Sequence, residues 1–208
     1  VFDDTEVLIK DPLPENINIR RVFSKLSDVI PYRFLHELDM IYIGQFDHLK
    51  DREVSSVYDS GAIYLSNDQD DEADILDDIV HEIAHMVEEI KGGALYGDGL
   101  IEGEFLNKRI NLERILRFNE YNTFFFDFKD PDFSEDLDLF FYTEIGYPTL
   151  ETLGDGLFIS PYAATSLREY FATGFEEYYL GDARQLSQVS PKLYNKINNL
   201  HRMETTND

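Results

Sequence analysis

The stretch His81-Glu82-Ile83-Ala84-His85 decides how this chain is read. It lies in a run whose apolar residues, Ile75, Leu76, Ile79, Val80, Ile83, Met86, Val87 and Ile90, recur at helical spacing. Residues four apart share one helix face, with Cβ atoms about 5–6 Å apart. His81 and His85 can therefore present two imidazoles to one ion. Glu82 is turned by about 100° from His81, toward a water on that ion rather than toward the ion itself. Zinc lowers the pKa of such a water to about 7. Glu82 is then placed to take its proton and hand it to a leaving amine. The motif predicts a zinc metallopeptidase with one Zn2+ per chain and Glu82 as general base.

The surroundings of the motif fix the element that carries it. A helix is expected from about Asp74 to Ile90, ended by Gly92-Gly93. The acidic run Asp68-Gln69-Asp70-Asp71-Glu72-Ala73-Asp74 just before it complements the positive end of the helix dipole. A calcium loop is the rival reading of that run, but it lacks the Gly at the turn and the Glu at the end of such a loop.

Further out, the segment Ile17 to Ile30 has helical spacing, with Pro31 stopping it or starting a new turn. Met40 to Ile43 reads as a strand. Val57 to Ser66 reads as a second extended region, clearest at Ala62-Ile63-Tyr64-Leu65. Helices are expected over Leu100 to Phe118 and over Ser134 to Ile145, the latter stopped by Gly146 and Pro148. Two more run from a cap at Thr165 or Ser166 to Leu180, and from Ser190-Pro191 through Leu200. Residues 119–133 look irregular. The fold expected is α+β: a mainly helical, zincin-like domain with a small sheet beside the metal helix. It is read as a single domain over 1–208, with a helical and aromatic insert at about 94–160.

Composition agrees with a packed domain. The chain has 208 residues, 43% of them hydrophobic, with 16 Phe and 13 Tyr, which excludes a disordered acidic tail. It has no Cys, so any metal must be held by His and carboxylates. Lys and Arg number 18 against 42 Asp and Glu, a net charge of −24. That balance argues against nucleic acid and anionic membranes as partners; solubility is its first reading, and a field that attracts a basic protein or peptide substrate its second. No apolar run approaches the ~20 residues of a membrane span. Val1-Phe2-Asp3-Asp4 carries no signal-peptide pattern, and the missing initiator Met suggests that a leader or some other added sequence was trimmed. The compartment stays open between cytoplasm, secretion and a virion.

A catalytic zinc takes three protein ligands and a water. A third His six residues after His85 would mark a metzincin. That position is Lys91, and Glu88 stands where the same pattern has a Gly between the two, so this route is closed. His36, His48 and His201 are isolated and suit packing or surface roles. A carboxylate is the other solution. Glu102 and Glu104 are one candidate pair, Glu104 at a spacing found in zinc aminopeptidases. Glu169 is the other candidate, within Leu167-Arg168-Glu169-Tyr170-Phe171-Ala172.

The segments DIVHEIAHMVEE and SPYAATSLREYFATGFEEYY resemble the catalytic domain of anthrax lethal factor and its relatives, which include small Pro-Pro endopeptidases. The likeness covers roughly Ala62 to Ile90 and Ser160 to the C-terminus, somewhat over a third of the chain. In that gluzincin family a Glu in a Glu-Phe-Phe-Ala-like helix completes the site, and a Tyr seven residues before it faces the metal. Glu169-Tyr170-Phe171-Ala172 and Tyr162 match. The resemblance implies zinc held by His81, His85 and Glu169, Glu82 as base, and Tyr162 donating a hydrogen bond to the oxyanion. It favours Glu169 over Glu104, leaving Glu102 and Glu104 on a solvated face with Lys108 and Arg109. It also implies peptide binding as an added strand along a sheet edge, for which Ala62 to Ser66 is the candidate, with an internal strand as the equal alternative.

The chain departs from the family twice. Thr173 stands where lethal factor has an acidic residue four after the ligand Glu, so support for the ligand histidines must come from elsewhere, with Asp77 and Asp78 as candidates. The insert, with Phe124 to Phe126 and Phe140-Phe141-Tyr142, has no family counterpart. An extra core layer is the first reading, and a lid the second. A zinc-bearing binding component of a virion or toxin, without turnover, is the functional alternative to the peptidase. A zinc aminopeptidase using Glu104 is another.

Overall fold

A short parallel ladder opens the chain. The computed structural model describes residues 5–52 and 54–205; the leader reading at Val1 to Asp4 lies outside the described residues. The protein is 60% helical with a small mixed sheet, a mainly helical α+β fold. It divides into two units, one of Val1–Ile90 with Asn199–Asp208, the other of Lys91–Asn198. Among the described residues no helix is long and apolar enough to cross a membrane.

The first unit runs β1 (Glu6–Ile9), α1 (Ile19–Val29), α2 (Tyr32–Leu35), β2 (Met40–Gly44), α3 (Asp47–Asp51), β3 (Ser56–Asp59), β4 (Ala62–Ser66) and α4 (Glu72–Tyr96, of which residues up to 90 belong here). The sheet order is β1-β2-β4-β3. β1 pairs with β2 and β2 with β4 in parallel, while β3 pairs with β4 antiparallel. Side chains alternate across it as a pleat requires. Ile41, Ile43, Ile63 and Leu65 are fully buried. On the opposite face Tyr42 stacks on Tyr64, ring centroids 5.0 Å apart, and His48 packs edge-on against Tyr64 at 4.9 Å.

Several expectations change here. The extended region 57–66 is a hairpin, because Ser60 (φ 50°) and Gly61 (φ 88°) form a two-residue turn with both φ values positive. β4 lies between β2 and β3, so it offers no edge; the strand at that edge is β3. Gly92-Gly93 does not end the metal helix. α4 continues to Tyr96, because the added turn buries Leu95 completely, which outweighs roughly 1 kcal/mol of helix propensity per Gly. The break comes at Gly99, whose φ of 67° only glycine adopts freely. Of the apolar stripe, Ile75, Leu76, Ile79, Val80, Ile83, Met86 and Val87 are buried, while Ile90 is exposed. The acidic run is a cap: Asp71 Oδ1 accepts from the N–H groups of Ala73 and Asp74.

The second unit contains α5 (Leu100–Phe118), α6 (Glu135–Leu139) running into a π-helical turn at Phe140–Ile145, α7 (Tyr147–Leu153), a 3-10 turn at Tyr162–Ala164, α8 (Leu167–Tyr179), α9 (Ala183–Val189) and α10 (Pro191–Thr205, up to residue 198). Its core includes Leu112, Leu116, Phe128, Leu137, Phe140, Phe141, Ile145 and Leu150. Phe140 and Phe141 of the insert are thus core, whereas Phe124 and Phe125 are 82% and 78% exposed and are not. Pro148 does not stop a helix. It stands in the first turn of α7, where its missing N–H is no loss. Gly174 lets α8 approach α10, since a Cβ there would collide with Leu193.

The α5 face holding Lys108 and Arg109 is not solvated, as both are buried. The Lys108 ammonium donates to the carbonyls of Leu157 and Val189, the latter at 2.7 Å. Burial brings its pKa down to about 8, partly countered by Glu104. Arg109 donates to the Asp130 carbonyl at 2.7 Å, its guanidinium 5.3 Å from the Phe105 ring centroid. These cations lie inside because each has carbonyl acceptors and aromatic walls.

Candidate metal centre

In the first unit, α4 carries His81, Glu82 and His85 on its buried side. His85 and Glu82 are buried and His81 half-buried. The two imidazoles stand 4.9 Å apart at their centroids, nearly perpendicular. This is the one-face pairing that four-residue spacing gives. Glu88, one turn on, brings a carboxylate oxygen to 3.7 Å from His85 Nδ1. That is too long for a hydrogen bond, but it sets a negative charge on the Nδ1 edge of the ring, opposite Nε2.

Glu82 is held by the edge strand. Ser56 Oγ donates to Glu82 Oε1 at 2.7 Å, and the backbone N–H of Tyr58 donates to Oε2 at 2.6 Å. Asp78, a turn earlier, accepts from Ser55 Oγ and Gln69 Nε2, both at 2.9 Å. Its carboxylate ties α4 to the start of the hairpin and to the turn after it. Burial raises its pKa.

In the second unit, Ser166 caps α8, its Oγ accepting from the N–H of Glu169 at 3.1 Å. This pins the first turn of the helix, where Glu169 is half-buried. Tyr162, in the 3-10 turn that leads into α8, is 36% exposed. Thr165 Oγ1 donates to the Tyr162 carbonyl at 2.8 Å. The Tyr147 ring lies 6.5 Å from that of Tyr162, edge-on, and its hydroxyl donates to Asp138 at 2.9 Å. Burial and the Asp138 hydrogen bond raise the Tyr147 pKa well above that of a free phenol, with Tyr162 and Glu169 adding to the rise.

Among the described residues one group of metal-ligating side chains comes together: His81, His85 and Glu169 each offer a ligand atom, and these atoms lie within 4.8 Å of one another. Two imidazole nitrogens and a carboxylate oxygen suit zinc, which needs three protein ligands in a catalytic site.

Glu104 has other work. It accepts from the Tyr170 hydroxyl at 2.8 Å and from the N–H groups of Lys192 and Leu193 at 2.9 and 3.1 Å. It thereby serves the N-terminus of α10, where a carboxylate is favoured. Thr173 is buried on α8. Sequence reasoning missed Ser56, Tyr58, Glu88 and Tyr147. Only Glu88 left a local signal, three residues after His85 on the same helix.

No family model, curated protein or solved structure matches the chain.

Proposed function

We propose that this chain is a zinc metallopeptidase of the gluzincin type, an endopeptidase acting on proteins or peptides. The observation that carries the reading is the convergence of His81, His85 and Glu169 to within 4.8 Å. Glu169 lies far along the sequence from the HExxH motif, so their meeting owes nothing to helical spacing. The resemblance of the two motif segments to anthrax lethal factor and its relatives supports the same assignment and a zincin-like fold.

His81, His85 and Glu169 would hold the metal, which when bound supplies Lewis acidity toward a water and the scissile carbonyl. Glu82 takes the proton of the attacking water and delivers it to the departing amine. Ser56 and the Tyr58 N–H orient its carboxylate for that task. Tyr162, partly exposed, donates its phenol proton in a hydrogen bond to the developing oxyanion. Glu104 gives no support to an aminopeptidase reading, because its oxygens serve α10 and Tyr170.

The test is metal analysis together with a peptide-library cleavage assay on wild type and Glu82→Gln. About one zinc per chain in both proteins, with cleavage by wild type alone, is the expected result. Cleavage by Glu82→Gln at the wild-type rate would refute the mechanism. Zinc in both with no cleavage by either would favour a non-catalytic binding component.

A further inference from the structure

The second unit holds a pocket of about 190 Å³ that none of the proposed zinc ligands lines. Its floor and walls include Leu112, Leu150, Phe158, Ile159, Pro161 and Val189. Leu112 and Leu150 belong to the core of the unit, so the floor is fixed. Glu151 and Asp155 also line it, both exposed and therefore at its mouth, and none of its lining residues is a cation. Ligand sites for drug-sized molecules run from about 300 to 1,000 Å³, so this one suits a single long side chain.

We propose that this pocket takes a basic side chain, arginine or lysine, of the peptide substrate. An apolar floor under a polar upper wall, with Ser160 and Gln185 among its lining and two carboxylates at its mouth, matches a methylene stem ending in a cation. The nearby cation Lys108 does not oppose this. It stands 5.5 Å from the Phe158 ring centroid, outside the lining, and donates to the carbonyls of Leu157 and Val189. Those two bonds brace the pocket wall, since Val189 lines it and Leu157 precedes Phe158. The wall also leads directly to the catalytic loop: Ser160 and Pro161 line the pocket and are followed by Tyr162. The pocket thus shares a wall with the segment that carries the proposed oxyanion donor. The excess of 42 acidic over 18 basic residues draws such peptides in.

This inference rests on the peptidase reading for its biological meaning, but its test does not need turnover. Short Ala-Gly peptides with one arginine, norleucine or glutamate walked through every position are titrated calorimetrically into the Glu82→Gln protein. At one position arginine should bind about tenfold tighter than norleucine, a difference of about 1.4 kcal/mol. Glu151→Gln/Asp155→Asn should bring the ratio near one, and Glu151→Lys/Asp155→Lys should favour glutamate, with zinc content and circular dichroism reporting the fold. Equal binding of arginine and norleucine everywhere, or a preference that survives in both variants, would overturn the proposal. An arginine preference in protein whose wild type cleaves nothing leaves the pocket standing and removes the peptidase. Cleavage without any such preference does the reverse.

Discussion

The Glu82 carboxylate accepts a 2.6 Å hydrogen bond from the backbone N–H of Tyr58, so the base of the proposed reaction occupies an outward-facing amide of an edge strand. The ladder makes this possible. Ser66 N–H donates to the Ser55 carbonyl, and in an antiparallel pair inward and outward amides alternate, which turns Ser56 and Tyr58 away from β4. At the register of Tyr58, Glu82 therefore takes the place that the carbonyl of an added strand would fill.

The first prediction follows from that bond. In Glu82→Ala the Tyr58 amide loses its acceptor. A hydrogen bond to a charged group contributes about 1.5–3 kcal/mol, so exchange of the Tyr58 amide with solvent should speed up by roughly ten- to a hundredfold. Hydrogen exchange followed by NMR reads this directly, and an unchanged rate would mean that something other than Glu82 protects the amide.

The two candidate third ligands should separate cleanly. Glu169→Ala should strip zinc while leaving thermal stability of the metal-free protein little changed, since its side chain is only half-buried. Glu104→Ala should keep zinc but cost about 1–3 kcal/mol in urea unfolding, because the Tyr170 hydroxyl and the first amides of α10 lose their acceptor. If Glu104→Ala empties the site and Glu169→Ala does not, the ligand set is wrong.

These residues also mark how far the sequence could be read. The histidine pair was legible because its geometry is local: two side chains four apart on a helix meet whatever the rest of the chain does. The helices at 100–118 and 167–179 were legible through apolar spacing and, for the second, through Ser166 as cap. Ser56 and Tyr58 were not, because their meeting with Glu82 depends on the register of a hairpin whose turn at Ser60-Gly61 is weakly encoded. Lys108 and Arg109 look like part of a solvated face in the sequence, since charge normally means exposure. Only the packed unit brings carbonyls and aromatic rings around them. β1 and α9 are short, and their patterns do not stand above the flanking loops.

Lys108 gives a pH prediction. Its folded pKa is about 8, lowered by burial, against about 10.4 in an unfolded chain. Between these values the unfolded chain binds the proton that the native state has released, so stability contributed by this group rises with pH across that window. Lys108→Met removes the titration. Urea unfolding of both proteins from pH 7 to 10.5 should show a gain for wild type over the variant as pH climbs past about 8. A constant difference would mean that Lys108 titrates in the native state as it does in the unfolded chain.

Gly92 and Gly93 lie inside α4 although glycine is the poorest helix former after proline. A Cβ built at either position meets nothing within 4 Å, and neither has a positive φ. Alanine therefore adds no clash, and it removes backbone freedom from the unfolded chain. Gly92→Ala and Gly93→Ala should each stabilise the protein by about 0.5–1 kcal/mol, and the double variant by their sum. Thermal melts of the metal-free protein measure this. Destabilisation by either would mean that α4 must bend or open at the pair.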